Sequence, residues 1–270
     1  MVGERVSIVC VAAFVFVLMT PGPGSAGVYS VEPEEMPDFE EVLFDVDEDL
    51  TWESLADEGW IFVNTERSFF SIEEFDGRDC VKAYQTGGNL PPYASGTWTS
   101  SVSFDEYFSF SCRLWLPHDD DHADAPKGYY GQSFYIYVYD TDGVLRIMTR
   151  VVMDDPFNTV PTIPVGWTWR DQTWWHPIAG FDKGWGTFTM RLDRDATSWT
   201  GIWDYPDGTQ IVRSDCGFYN GDSVDFQIGR LVFANALAEE TADVIYIDLL
   251  YACMGQDSNG GKRGPQYQSG

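Results

Sequence analysis

Residues 133–152 read SFYIYVYDTDGVLRIMTRVV, and this stretch decides the fold class. Two arms of about eight residues, rich in Val, Ile, Tyr and Phe, flank Asp142-Gly143, a pair whose preferred turn geometry matches the twist of paired strands. A β-hairpin is the expectation. The same pattern recurs outward from it. Residues 197–214 (TSWTGIWDYPDGTQIVRS) turn at Asp207-Gly208, and Asp76-Gly77 separates FFSIEEF from CVKAYQT. Further strands are expected at 97–104, 107–116, 186–193, 228–234 and 244–252. No stretch carries a 3.6-residue apolar repeat, so the expected fold is all-β and without helices, a two-sheet antiparallel jelly-roll sandwich.

The flanks read differently. In residues 1–26, Arg5 precedes an apolar run at 6–19, followed by Pro21, Pro23 and the small residues Gly24, Ser25 and Ala26, which is the pattern of a secretory signal peptide cut after Ala26. The run is shorter than the roughly 18–20 residues that span a bilayer, and no second one occurs. The expectation is a secreted, extracellular or cell-surface protein with no membrane insertion, a retained N-terminal anchor being the alternative. Residues 27–41 form a flexible acidic leader, 42–254 the sandwich domain, and 255–270 a polar, glycine-rich tail expected to lack order.

Acidic residues number 43 against 16 basic ones, a net charge of -27 that loss of Glu4 and Arg5 with the signal leaves unchanged. Nucleic acid is excluded as a partner, because binding a polyanion needs a Lys/Arg patch that the sequence does not contain. An acidic, lysine-poor surface suits a salty habitat and equally suits plain solubility by charge. Of the five cysteines, Cys10 leaves with the signal. Cys80, Cys112, Cys216 and Cys253 remain, and an even number in an exported chain predicts two disulfides in one of three connectivities. Their spacing excludes a CxxC zinc knuckle.

Aromatic density singles out residues 166–186, GWTWRDQTWWHPIAGFDKGWG, which hold five of the eleven tryptophans and His176. Trp167 and Trp169 stand two apart and share a face on a strand, about 6–7 Å from each other, a spacing that suits adjacent sugar rings. Trp174 and Trp175 fall on opposite faces of a regular strand. Arg170, Asp171 and Gln172 offer the hydrogen bonds that orient a saccharide, and His176 either donates to a ligand hydroxyl or sits in the core or a turn. The competing reading is a hydrophobic plug at one end of the sandwich. Trp185 follows Gly184 at the start of an alternating strand and is expected in the core. Tyr93, Trp98, Tyr129 and Tyr130 lie in or beside expected loops and could join a binding face.

Three segments together resemble the concanavalin A-like and carbohydrate-binding-module jelly rolls, the laminin G-like folds included. Residues 43–62, LFDVDEDLTWESLADEGWIF, look like the opening strand and the loop to a Gly-Trp. Residues 181–211, FDKGWGTFTMRLDRDATSWTGIWDYPDGTQI, resemble the Gly-x-Trp strand start and the hairpin that follows. Residues 243–252, DVIYIDLLYA, are similar to the closing strand. The resemblance covers about residues 42–254 and implies a sandwich that binds glycans, cleaves them or serves a structural role. In many such modules the acids of the first and last strands help hold a structural calcium. Asp45 and Asp248 match those positions, and Asp47 or Glu48 would help complete the six to eight oxygens that calcium takes. Acids at exposed strand ends are the alternative. An EF-hand at Asp45, Asp47 and Asp49 is ruled out by Leu50 in the glycine position and Ala56 in that of the bidentate acid.

HDDDHAD at 118–124 reads as a solvated acidic loop rather than a metal site, since nothing local would hold its ligands in place. The Glu-x-Asp-x-x-Glu motif of glycosidases of this fold, the Arg-x-Glu and Tyr-x-Lys strands of its lyases, and a Gly-x-Ser-x-Gly elbow are all absent, and three histidines leave few bases for a triad. The reading is therefore a secreted, calcium-stabilised, non-catalytic module that binds a polysaccharide or other glycan. Its candidate ligand contacts are Trp167, Trp169, Trp174, Trp175, Arg170 and His176, with Asp45, Asp47 and Asp248 at the metal. A hydrolase or lyase with departed motifs, and a structural or adhesion domain, are the alternatives. Oligomeric state is left open.

Overall fold

Apolar and polar residues alternate along most segments, and the computed structural model sorts these segments into two stacked antiparallel sheets. It describes residues 39–47, 50–86, 92–116, 132–154, 166–173, 175–179, 184–236 and 244–256. The eight-stranded sheet runs in the order β13 (Gln210–Cys216), β12 (Trp199–Asp204), β11 (Gly184–Asp193), β6 (Tyr107–Leu116), β15 (Ile245–Gln256), β4 (Arg78–Gln85) and β3 (Ser68–Phe75), with β1 (Phe39–Asp47) also paired to β15. The seven-stranded sheet runs β10 (Trp175–Ala179), β9 (Gly166–Arg170), β8 (Leu145–Asp154), β7 (Gln132–Asp140), β14 (Ile228–Ala236), β5 (Ala94–Val102) and β2 (Trp60–Val63). This is the two-sheet jelly-roll sandwich that the alternation and turn spacing imply.

Turn chemistry behaves as its residues require. Asp76 and Gly77 both adopt positive φ, 54° and 76°, the mirror-image turn that joins β3 to β4 without splaying them. The β7–β8 hairpin turns at Asp142-Gly143, where Gly143 has φ 79°. Its end is held by Asp140, whose Oδ1 accepts from the backbone N–H groups of Asp142 (3.0 Å) and Val144 (2.8 Å), while Oδ2 accepts from Arg146 Nε at 2.7 Å. Burial opposes ionisation of Asp140, but those three donors outweigh it and hold the carboxyl below its ordinary range.

Between the sheets the core is aromatic. Trp60 lies flat on Phe233 at 5.1 Å, Phe44 meets Trp98 edge-on at 4.9 Å, and Trp167 lies flat on Phe188 at 4.0 Å. A buried polar clasp ties the sheets together at Asn235 of β14. Its Nδ2 donates to the carbonyls of Phe69 (3.1 Å) and Tyr84 (2.9 Å), and its own carbonyl accepts from Ser68 Oγ and Gln85 Nε2, both at 2.8 Å. Four hydrogen bonds to β3 and β4 satisfy groups that would otherwise cost about 1–3 kcal/mol each when buried.

Three expectations are corrected. A helix does exist among the described residues, α1 (Trp52–Asp57), and six residues are too few to show an apolar repeat; its signal was the reciprocal capping box of Thr51 and Ser54. Pairing begins at Phe39 rather than Val42, and β15 continues to Gln256, because Phe39–Val42 pair with Cys253–Gln256. No disulfide forms. Cys80, Cys112, Cys216 and Cys253 are buried on β4, β6, β13 and β15, and across their strands they face Glu73, Leu250, Trp199 and Ser109 rather than one another. Burial pushes the Cys80 thiol up to about 11, with help from nearby Asp248, and the Cys216 thiol up to about 12.

Candidate functional site

Strand β7 reads QSFYIYVYD, and its alternation divides it cleanly. Phe134, Ile136 and Val138 are fully buried between the sheets, whereas Tyr135, Tyr137 and Tyr139 are half-buried on the outward face. The three phenol rings form a ladder. Tyr135 and Tyr137 are stacked at 5.4 Å with planes 13° apart, and Tyr137 meets Tyr139 edge-on at 6.3 Å. Burial, and then the neighbouring phenols, push the Tyr137 hydroxyl well above its ordinary value, so it remains a proton donor at any physiological pH.

Cross-strand pairing brings further side chains to the ladder. Arg150 of β8 faces Tyr135, and its Nη1 donates to the Tyr135 hydroxyl at 3.2 Å. Met148 faces Tyr137 on one side and Arg170 of β9 on the other, and Arg170 in turn faces Trp175 of β10. The Trp175 indole carries the Arg150 guanidinium 3.8 Å above its centroid and stands 6.2 Å from the Tyr135 ring. On the other flank Arg230 of β14 lies 4.1 Å over Tyr139. The result is a sheet face of rings and guanidinium groups, rigid because each long side chain lies against an aromatic neighbour.

The tryptophan-rich segment is divided by the same parity. Trp167 and Trp169 do share a face, as their spacing requires, but it is the inward one. Trp167 is 0% and Trp169 8% exposed, so neither serves as an outward stacking platform. Trp175 and Arg170 point outward into the cluster. His176 lies on the other side of β10, stacked on Trp169 at 4.2 Å, with Nε2 3.0 Å from Asp171 Oδ2. Among the described residues no hydroxyl or thiol is bonded to that imidazole. Trp174, Tyr129, Tyr130 and the acidic run 118–124 lie outside the described residues. Trp98 is core, and Tyr93 is half-buried. Trp185 stands on the outward face of the eight-stranded sheet, donating to Asp76 Oδ2 at 3.0 Å, because inward-facing Gly186 leaves room for the Trp203 ring instead.

Asp248 is 2% exposed and fully engaged. Its Oδ1 accepts from Arg113 Nε at 2.6 Å, and its Oδ2 accepts from Arg113 Nη2 at 2.7 Å and Arg78 Nη1 at 3.0 Å. Asp45 is exposed on β1 opposite Tyr251, and the side chain of Asp47 lies outside the described residues. Asp45 and Asp248 therefore do not fit a calcium ion as a pair, because two guanidinium groups already neutralise the second carboxylate. Among the described residues no group of three His, Cys, Asp or Glu side chains is arranged to hold a metal.

Sequence reasoning missed Tyr135, Tyr137, Tyr139, Arg150 and Arg230. A signal for the tyrosines exists, since residues at every second position of a strand share a face. The two arginines join them only through strand pairing, which no local pattern states.

No family model matches the chain, and no curated protein matches it. Solved structures do. The structure of a conserved carbohydrate esterase from the Shiga toxin-encoding bacteriophage phi24B is 13% identical, with 81% of this chain and 100% of that chain covered and a TM-score of 0.52. A lectin from Bauhinia forficata in complex with GalNAc is 11% identical over 81% of this chain and 100% of that one, at 0.51. Lectin UEA-II complexed with galactose is also 11% identical over the same shares, at 0.50. The shared property is the fold, a two-sheet antiparallel jelly-roll sandwich.

Proposed function

We propose that this sandwich is a carbohydrate-binding module and that its saccharide site is the outward face of the seven-stranded sheet. One observation carries the reading: three tyrosine rings in register on β7, joined through Tyr135 to Trp175, form an ordered row of aromatic faces beside guanidinium and hydroxyl donors. Aromatic faces match the apolar faces of pyranose rings, and the flanking donors meet ring hydroxyls. Lectins of the same fold, solved with galactose and with GalNAc, support the reading without locating the site. Export of the chain belongs to the same proposal and is supported by the leader-like pattern of residues 1–26. A cation between Asp45 and Asp248 is not part of it.

A row of aromatic rings flanked by hydrogen-bond donors fits modest affinity, roughly micromolar to millimolar, or about 4–8 kcal/mol of binding free energy. Native affinity electrophoresis against a panel of neutral and charged polysaccharides is the test. Retardation by at least one polysaccharide is expected, and unchanged mobility in every gel contradicts the proposal.

A further inference from the structure

We infer that the ligand of this face is an anionic saccharide, one whose rings carry carboxylate or sulfate groups. The inference rests on the carbohydrate-binding reading above and names the chemistry that the site would select.

The argument starts from charge. With 43 acidic and 16 basic residues, a basic side chain in this protein is surrounded by potential partners. Many find one: Lys82 pairs with Glu73 at 3.0 Å, Arg78 and Arg113 with Asp248, Arg146 with Asp140 at 2.7 Å, and Arg191 with Asp193 at 2.8 Å. Arg170 and Arg230 depart from this pattern. Among the described residues neither forms an ion pair with a carboxylate, and both lie against rings instead. Arg170 stands 5.7 Å from the Trp175 centroid and 5.6 Å from that of Tyr219, and Arg230 stands 4.1 Å from Tyr139.

Geometry gives these cations a use. A guanidinium resting on an aromatic face keeps its in-plane N–H groups for bidentate recognition of a planar carboxylate or of sulfate oxygens. The Nε–H of Arg170 is buried and, among the described residues, has no hydrogen-bond partner, a donor that an incoming acceptor would satisfy. Arg170 and Arg230 flank the tyrosine ladder on opposite sides, on β9 and β14. A neutral glycan would need the rings but not two guanidinium groups held apart from carboxylates. An anionic one uses both, with sugar faces on the tyrosines and charges at the flanks.

The test uses two matched pairs of probes at 0.15 M salt with the full chain: polygalacturonate against its methyl-esterified form, and dextran sulfate against dextran. The members of each pair share a backbone and differ in charge, and the two pairs separate carboxylate from sulfate. The charged member of one pair is expected to bind at least tenfold more tightly than its neutral counterpart. Arg170→Gln and Arg230→Gln are expected to narrow that gap by about tenfold each at unchanged melting temperature, with Arg230→Lys restoring part of it. Equal binding of charged and neutral members, or binding only of neutral polysaccharides across the wider panel, overturns the inference and leaves the carbohydrate-binding reading standing. Binding of no polysaccharide, charged or neutral, removes both.

Discussion

Trp167 lies flat on Phe188 at 4.0 Å and is wholly buried, so its replacement by alanine leaves a cavity between the sheets. Trp167→Ala is expected to lose about 3–5 kcal/mol of stability in denaturant titrations, against a far smaller loss for Tyr137→Ala on the outward face. The contrast shows what a sequence states and what it withholds. A spacing of two put Trp167 and Trp169 on one face, and that was legible. Which face was not, because strand parity is relative until the partner sheet is known. Trp175 and Arg170, candidate contacts in the sequence, stand in the structure beside the β7 tyrosines, which lie in the hairpin that sequence reasoning used only for the fold. Counting cysteines likewise predicted bridges that burial in separate, unmatched positions does not permit.

At the scale of elements, the β7–β8 hairpin carries the proposed site, and Asp140 fixes its turn. Asp140→Asn is expected to cost about 1–3 kcal/mol at neutral pH, since the charged acceptor of Arg146 and two backbone N–H groups is lost. The sign with pH follows from the lowered carboxyl pKa. Its stabilisation is complete above the unfolded value of about 3.9 and is lost as pH falls through the lower folded value, so wild type and variant should converge on acidification. Chemical denaturation at several pH values reads this directly, and a constant difference down to the acid limit would contradict it. Several elements were legible: residues 107–116 match β6, and the three Asp-Gly turns fall where they were expected. Those segments alternate strictly and are bounded by turn residues. α1 was not legible, being shorter than the window in which a helical period can be counted.

For the whole molecule, fold class was written in alternation and turn spacing, while strand order was not. β15 lies beside β6, β4 and β1, pairings distant in sequence that only the closed sandwich specifies. That topology also decides the fate of Asp248, bringing Arg113 and Arg78 to it where a calcium ion was expected. Asp248→Asn should therefore lower stability by about 1–3 kcal/mol, the partners being part-exposed, and by the same amount with and without a chelator. A loss seen only in the presence of calcium would contradict the arginine assignment. The net charge of -27 acts at this scale too, making the guanidinium groups of the seven-stranded sheet a local exception in an acidic protein.

The most direct measurement places the site on one face or the other. Wild type, Tyr137→Ala and Trp167→Phe are run side by side through a gel containing a polysaccharide that retards the wild type, with circular dichroism confirming that each variant is folded. The account predicts that Tyr137→Ala migrates as though no polysaccharide were present while Trp167→Phe remains retarded. Retention by Tyr137→Ala together with loss in Trp167→Phe would contradict it.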